Sequence, residues 1–437
     1  MPYISLPGSV ELYYEQPNTP HDYNSKPSLV LLAPSWTNIF ALEPYVNALQ
    51  SNYNLTLLEL RSHGRTKNPV VAEFDYWTSA ADIAFAMEAL KLPPSHVFAA
   101  GGPAFQAAVK LSLLFPQQVA GLILVGVATF FAEPRNKAAF REVDDCWFGP
   151  ESSEEYIEVL GAIADFLLGD KRPGEEQVRI KDWLIGTVAR KYNPYAGRQI
   201  WMGGVPNHRH PRLTPELLAQ ITQPILMIQG ERDLTFPIED IEDFTKCFSS
   251  AKEMQFERVS DGPHLLALSH APLVISLMTS FLERNPSFNS SPVPLSPLNA
   301  LETVSKIASD PSLLSRDPRN SLSYSLVSPQ ELKDGQERLD EMLRGEKECM
   351  LVLPMCHEMN DWDAVSTPQQ RERKLRRWKW SIRHENAHQY TPDSRPLSQL
   401  SLSEGNLGGV TVNVDSVRAS EKNVPPLPRY MPSIATQ

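Results

Sequence analysis

Short apolar segments with strand patterns alternate with helical segments through the first 285 residues of the chain. The segments that read as buried strands are residues 29–32, 55–60, 97–100 and 122–125. Residues 82–90 and 103–114 have helical spacing and fall between strand segments. A helix between successive strands is the connection that a parallel sheet requires. The pattern therefore predicts an α/β fold with a mostly parallel sheet and helices on both faces.

Residues 130–215 interrupt this alternation with helical segments alone, at 155–168 and 175–191. The strand pattern resumes only at 224–228. A helical insertion between core strands commonly covers the carboxyl edge of the sheet, where open α/β sheets bind ligands. We therefore predict a helical cap over about residues 130–215. A small helical subdomain with no lid role is the alternative.

The composition changes near residue 285, where a Ser/Pro-rich stretch begins. Such a stretch buries too little apolar surface to offset the loss of chain entropy on folding, so we predict that the core ends there. The predicted parts are a domain over residues 1–284 (core 1–129 and 216–284), a linker over 285–327, short helical segments over 328–390 and a disordered tail over 391–437.

Residues 96–105 have the frame of a nucleophile elbow, in which a strand enters a sharp turn and then a helix. The turn residue adopts a positive φ, and this segment contains no Ser, Cys or Asp to place there. The pattern admits two registers, with either Pro103 or Gly102 at the turn. Proline is fixed near a φ of about −65° and is favoured in the first turn of a helix, whereas glycine tolerates a positive φ. We therefore predict Gly102 at the turn and Pro103 at the start of the helix.

Two further polar residues lie where strand patterns end. Asp233 follows the apolar run 224–228, and His264 ends the tight Asp-Gly-Pro-His turn. Together with residues 33–36 and 60–66, which each follow a strand, these segments resemble the α/β-hydrolase superfamily, specifically the cap-bearing group of epoxide hydrolases, enol-lactonases and haloperoxidase-like esterases. The resemblance covers roughly residues 8–284 and implies an eight-stranded, mostly parallel sheet.

The resemblance also implies roles for these residues. Asp233 matches the family's catalytic acid and His264 its general base. With Gly102 at the turn, the residue that normally donates the first oxyanion N–H is Pro103, which has none.

The second oxyanion N–H normally comes from the loop after an early strand, here Ala33, Pro34, Ser35 and Trp36. Pro34 also lacks an N–H, so we expect a damaged oxyanion hole. Trp36 and Phe105 are predicted to form an apolar wall of the ligand site.

The formal charge of −11 argues against binding to bulk nucleic acid or to an anionic membrane, because those surfaces require concentrated Lys and Arg. We predict a small apolar or neutral molecule as the partner, with no cofactor. Cys349, Cys356 and His357 do not complete a zinc site at usual spacing, so no metal is predicted. Four cysteines in so long a chain, and an N-terminus without the pattern of a signal peptide, predict a cytoplasmic protein.

The favoured functional prediction is a pseudo-hydrolase, which keeps the α/β-hydrolase fold without its nucleophile and binds a small molecule or a partner under its cap. The alternative is an enzyme that acts on a small ester, lactone or related carbonyl compound. It would use Asp233 and His264 as a general base without a covalent step. Ordinary ester hydrolysis needs a substitute nucleophile, for which the candidates are Ser35, Ser62 and Cys146.

The segment 369–384 suggests a third function, because it is basic and has apolar residues at helical spacing. Such a helix suits an anionic surface or the groove of a protein partner. Packing of its two tryptophans on the domain is the alternative.

Overall fold

The core of the protein is a single sheet of eight strands. A computed structural model describes residues 2–34, 36–128, 153–169, 175–192, 213–233, 236–287 and 291–352. The strands are β1 (Tyr3–Leu6), β2 (Val10–Glu15), β3 (Ser28–Leu32), β4 (Asn54–Leu58), β5 (Ser95–Ala100), β6 (Val119–Val125), β7 (Ile225–Gly230) and β8 (Met254–Val259). Their order across the sheet is β1-β2-β4-β3-β5-β6-β7-β8. β2 pairs antiparallel with β1 and β4, and all pairs from β4 to β8 are parallel, which confirms the predicted fold class.

The central strands explain why the sequence shows continuous apolar runs. β3, β4, β5 and β7 are buried at every residue. A parallel strand that is covered by helices on both faces has no solvent side, so it does not alternate between apolar and polar residues. Each of the four predicted strand segments overlaps one of the observed strands.

Helices cover both faces of this sheet. They are α1 (Glu43–Leu49), α2 (Tyr76–Ala89), α3 (Gly102–Leu114), α4 (Ser153–Leu168), α5 (Glu175–Lys191), α6 (Pro215–Leu218), α7 (Ile238–Thr245), α8 (Leu266–Ser269), α9 (Ala271–Arg284), α10 (Pro297–Ala308) and α11 (Pro329–Val352). Short 3-10 turns lie at Ile39–Leu42, Pro116–Gln118, Pro311–Ser315 and Ser321–Tyr324. α2, α3 and α7 bury apolar side chains on one face of the sheet, and α1, α8 and α9 on the other.

α4 and α5, which we call the helical pair, lie where the sequence predicts the cap helices. Their buried side chains form one apolar cluster with Phe74, Leu265 and Leu268. The backbone N–H of Leu265 donates to the carbonyl of Leu167 at 2.8 Å. The helical pair is therefore attached to the chain directly after His264. The flanking residues 129–152 and 193–212 lie outside the described part of the chain.

Residues 291–328, which we call the strap, pack on the core, so the predicted linker over 285–327 and the predicted end of the core near 285 are wrong. The strap residues in the same buried cluster as α2 and α3 are Leu295, Ala300, Leu301, Val304, Leu313, Tyr324 and Leu326. The ring of Tyr324 packs edge-on against Phe85, with 6.1 Å between ring centroids. A Ser/Pro-rich composition hides these few apolar residues, whose spacing nevertheless gives α10 one buried face.

α11 follows the strap and begins at Pro329. Ser328 and Glu331 form a reciprocal cap: the Ser328 N–H donates to Glu331 Oε2 at 2.8 Å, and the Glu331 N–H donates to Ser328 Oγ at 3.2 Å. Residues 353–437, which include the basic segment 369–384 and the predicted tail 391–437, lie outside the described residues. Of the helices that the structure describes, none combines the length and apolar character that crossing a membrane requires.

Candidate active site

The predicted acid and base meet at the carboxyl edge of the sheet. His264 Nδ1 lies 2.7 Å from Asp233 Oδ2, and the two residues are only 6% and 4% exposed. Asp233 follows β7, and His264 lies in the loop after β8, so two neighbouring parallel strands present the pair at the same edge. A buried carboxylate beside an imidazole fixes the ring's tautomer and orientation.

The Asp233 carboxylate has two further donors in addition to His264. The Phe236 N–H donates to Oδ1 at 3.0 Å, and the Gln229 side-chain amide donates to Oδ2 at 2.9 Å. Gln229 Oε1 in turn accepts the Val127 N–H at 2.7 Å, which ties the end of β6 to the same network. The sequence analysis missed Gln229, although a polar residue at the end of a buried strand was a usable signal.

Glycines let the three loops at this edge approach each other. A Cβ on Gly230 would lie 2.0 Å from the carbonyl oxygen of Gly262. A Cβ on Gly126 would lie 2.2 Å from the carbonyl oxygen of His264, and Gly126 also has a φ of +63°. Side chains at these positions would push the loop that carries His264 away from its present place. The sequence analysis did not single out Gly126 or Gly230, each of which ends or follows an apolar strand.

The turn between β5 and α3 differs from the prediction by one residue. Gly101, not Gly102, has the positive φ, with φ 74° and ψ 167°. Gly102 is the first helical residue, and Pro103 follows it in the first turn of α3. Either glycine of the Gly-Gly pair tolerates a positive φ, so the sequence did not distinguish them, and the prediction of Gly102 at the turn is wrong.

Because the turn residue is Gly101, the residue after it is no longer the proline that was expected to remove the first oxyanion donor. The residue after the turn is Gly102, which has a backbone N–H, and Pro103 lies one position further on. The N–H groups in the first turn of a helix have no partner within the helix, and the helix dipole favours negative charge near them. The conclusion that a proline removes this donor is therefore wrong. The turn residue itself, Gly101, has no side chain.

The loop after β3 forms a tight turn. The Thr37 N–H donates to the Pro34 carbonyl at 3.2 Å, and Trp36 has a φ of +61°, which a residue with a large side chain rarely adopts. The Ala33 N–H donates to the Leu58 carbonyl at 3.1 Å, so it belongs to the sheet. Ser35 lies outside the described residues.

The end of α5 is fastened to this loop by Tyr192. The Tyr192 hydroxyl donates to the Thr37 carbonyl and accepts the Gly64 N–H at 3.0 Å. The rings of Trp36 and Tyr192 pack edge-to-face with 6.3 Å between centroids. The loops after β3 and β4 thus share one contact with the helical pair.

The Glu59 side chain also links the loops after β3 and β4. Its carboxylate accepts the Ile39 N–H at 3.0 Å and also the Arg65 N–H. A Cβ on Gly64 would lie 2.1 Å from this carboxylate, which explains the glycine there. His63 is buried beside it, and burial lowers the pKa of its imidazole.

Aromatic side chains lie beside His264. The Phe236 ring centroid is 5.5 Å from that of the imidazole, and the Phe166 centroid is 6.4 Å away. Phe105, predicted to share a wall with Trp36, is fully buried and packs against Phe244 on the α2–α3 face. Trp36 instead packs against the cluster of the helical pair. Phe105 and Trp36 therefore belong to different apolar clusters and do not form the predicted shared wall.

Of the predicted substitute nucleophiles, Ser62 is the one that the structure describes. Its hydroxyl is buried and accepts the Asn68 side-chain amide at 3.2 Å. Its backbone N–H donates to Asn68 Oδ1 at 2.7 Å. Ser62 therefore serves the local fold of the loop after β4. Ser35 and Cys146 lie outside the described residues.

The model of a family described as "alpha/beta hydrolase fold" matches residues 29–271. A pimeloyl-[acyl-carrier protein] methyl ester esterase from Nitrosomonas europaea is 23% identical over 248 residues, which are 55% of this chain and 90% of that protein. The solved structure of an esterase from Exiguobacterium antarcticum has a TM-score of 0.53 and 18% identity, over 64% of this chain and 98% of its own. An enol-lactonase from Burkholderia xenovorans LB400 has a TM-score of 0.53 and 16% identity, over 64% of this chain and 100% of its own.

Proposed function

The chain belongs to the α/β-hydrolase family, and we propose that it is an enzyme that uses His264 and Asp233 as a general base on a small carbonyl compound, without a covalent intermediate. The observation that supports this most is the buried 2.7 Å contact between His264 Nδ1 and Asp233 Oδ2, beside a turn that carries no nucleophilic side chain. A protein that only binds a ligand has no need for this pair.

The reaction follows from the geometry of the pair. With its Nδ1–H bonded to Asp233, the imidazole takes a proton through Nε2. Removal of a proton from water leaves hydroxide, which adds to the substrate carbonyl while the carbonyl oxygen gains the negative charge. The N–H of Gly102 at the start of α3 is the donor nearest in sequence to the turn for that oxyanion. When the tetrahedral adduct collapses, the imidazolium returns the proton to the leaving oxygen.

The substrate class is a small, neutral and largely apolar ester or lactone. Phe236 and Phe166 place aromatic rings within 5.5 and 6.4 Å of the imidazole, measured between centroids. The net charge of −11 disfavours an anionic substrate in solution. We assign the helical pair as the cap over this site, because its residue Leu167 bonds to the residue after His264.

Hydrolysis of a panel of small lactones and p-nitrophenyl esters tests the proposal. His264→Ala should lower turnover by about 10²–10⁴, since this is the usual contribution of a positioned base. Ser62→Ala is the matched control, because Ser62 contacts Asn68, and it should leave turnover unchanged. Turnover that survives in the His264→Ala variant would contradict the proposal, and so would stoichiometric labelling of the natural chain by a fluorophosphonate.

A binding protein without chemistry is the second candidate, and the observation that favours it is Gly101 at the turn. In that case a ligand from the same panel should raise the melting temperature equally for the natural chain and for His264→Gln, with no turnover by either. Stabilisation combined with turnover by the natural chain alone would favour the enzyme.

A further inference from the structure

We propose that the strap and α11 act as an intramolecular clamp that holds the helical pair over the candidate site. The strap runs from the end of α9 across α3 and α2, and α11 then reaches the cluster of the helical pair. The proposal concerns the cover of the site and does not depend on what chemistry takes place beneath it.

The first part of the strap is anchored on the helical layer of the core. Leu301 and Val304 of α10 are fully buried there. The Tyr324 ring packs against both Phe85 and Phe115, with centroid distances of 6.1 and 6.0 Å. The Tyr324 hydroxyl oxygen lies 2.8 Å from the carbonyl oxygens of Pro297 and Pro318, so its single hydrogen has an acceptor within the strap.

The end of the strap is anchored at the edge of the sheet where the candidate site lies. The Leu326 N–H donates to Asp75 Oδ2 at 2.7 Å, and Ser325 Oγ donates to the Glu73 carbonyl at 2.5 Å. Arg61 Nη2, in the loop after β4, donates to Ser321 Oγ at 3.0 Å. Asp75 also caps α2, so the strap ends where the loop after β4 enters that helix. α11 therefore starts at the same edge of the sheet as the candidate site, next to the loop after β4.

α11 turns one apolar face toward the protein. The half-buried and buried residues recur at helical spacing and are Leu332, Gly335 and Leu339. The residues between them, such as Lys333 and Gln336, are mostly exposed. Leu339 is 7% exposed and belongs to the buried cluster that contains the helical pair, Leu265 and Leu268. This face adds a third helix to the cover of the site.

The strap and α11 lie beyond the residues that the family model matches. The family model ends at residue 271. The Exiguobacterium antarcticum esterase, matched over 98% of its length, accounts for 64% of this chain. In this protein the C-terminal extension supplies part of the cover.

Hydrogen exchange measured by mass spectrometry on the full chain tests the clamp without a substrate. Leu339→Ser should speed exchange in the helical pair and in residues 262–268 by roughly tenfold or more, because a buried apolar contact is lost and local opening becomes easier. Exchange in β3, β5 and β6 should not change. Gln336→Ser, one turn away on the exposed face of the same helix, should leave the helical pair as it is in the natural chain.

Leu339→Ala provides a milder second variant, which should give a smaller increase in the same peptides and keeps the test valid if Leu339→Ser unfolds. Unchanged exchange of the helical pair in Leu339→Ala would overturn the clamp, and so would an equal increase in Gln336→Ser. Because the readout is exchange and not turnover, failure of the clamp is distinct from failure of the proposed general base.

Discussion

The two halves of the candidate site, at the ends of β7 and β8 and at the end of β5, differ in the groups that they present. At the end of β7 and β8, side chains form the site, since His264 and Asp233 are a buried pair and Gln229 and Phe236 donate to the carboxylate. At the end of β5, only the backbone remains, since Gly101 keeps the positive φ of an elbow but has no side chain. The geometry of a turn can therefore persist without the reactive group that it usually presents.

The two halves also depend on different kinds of stabilisation. Removal of the Asp233 side chain leaves buried donors without an acceptor, which has a large cost in free energy. Glycine at the turn provides no side-chain acceptor on which buried donors depend, and it lowers the strain of the positive φ. A change of side chain at Asp233 should therefore cost more stability than the presence of glycine at the turn.

Gly101→Ser gives the sharpest contrast, because it adds a hydroxyl at the turn residue. The variant should change from no labelling by a fluorophosphonate to about one label per chain, since a serine near His264 gains an activated oxygen. Mass spectrometry of the intact protein measures the label, and addition of His264→Ala should abolish it. Gly102→Ser is the control and should stay unlabelled, because position 102 is helical. Equal labelling of the two serine variants would show that the assignment of the turn is wrong.

Asp233→Ala tests the other half. It should lower the free energy of unfolding by about 3–5 kcal/mol, because three donors from His264, Phe236 and Gln229 lose their acceptor in a buried place. Asp233→Asn keeps one oxygen and should lose less. Denaturant titration measures both. A loss below about 1 kcal/mol for Asp233→Ala would mean that water replaces the carboxylate easily.

Much of this site could be predicted from the sequence. Asp233 and His264 each follow a strand pattern closely, and parallel strands bring their carboxyl ends to one edge. The register at Gly101 could not be predicted, because two adjacent glycines have the same freedom in φ. Gln229, Gly126 and the other close approaches depend on distances between loops that are far apart in sequence.

Lys110, in the helix α3 that begins at the turn, should make the free energy of unfolding depend on pH. Its ammonium is buried in α3 and donates to Gln106 Oε1 at 2.6 Å. Burial lowers the pKa of Lys110 to about 7, although the charge of Asp75 opposes this shift. The folded chain therefore binds fewer protons than the unfolded chain between pH 7 and the ordinary lysine pKa of about 10.4.

The free energy of unfolding should consequently rise with pH above about 7, by as much as about 2 kcal/mol up to pH 9, and be lowest below pH 7. Lys110→Met should flatten this dependence in denaturant titrations at several pH values. Lys246→Met is the control, because Lys246 is exposed on the surface, and it should keep the slope of the natural chain. The same slope in Lys110→Met and the natural chain would rule out Lys110 as its origin.

The smallest expected effect concerns the two glycines themselves. Gly101→Ala should lower the free energy of unfolding by about 1–2 kcal/mol, because its φ of 74° is strained for a residue with a Cβ. Gly102→Ala should stay within about 0.5 kcal/mol of the natural chain, since the new Cβ would lie at an ordinary 3.6 Å from Ala128. Thermal and denaturant unfolding measure both. A larger loss of unfolding free energy for Gly102→Ala than for Gly101→Ala would indicate that Gly102 is the turn residue.

The strap shows where composition misleads. Its overall composition is rich in Ser and Pro, but Leu301, Val304 and Tyr324 are each fully buried. The prolines begin α10 and one of the 3-10 turns, and the polar residues Asp310 and Asn320 cap two such turns with their side chains. A few well-spaced apolar residues suffice when the segment packs on a core that already exists, and an average over the segment does not reveal them.

The contact between Arg61 and Ser321 joins residues that are 260 positions apart. During synthesis, Arg61 and its ionic partner Asp82 emerge long before the strap. In the folded chain neither side chain of this ion pair is more than 1% exposed. The strap thus supplies Ser321 as a late-synthesised partner of this buried guanidinium, and a chain interrupted before residue 321 would lack that hydrogen bond.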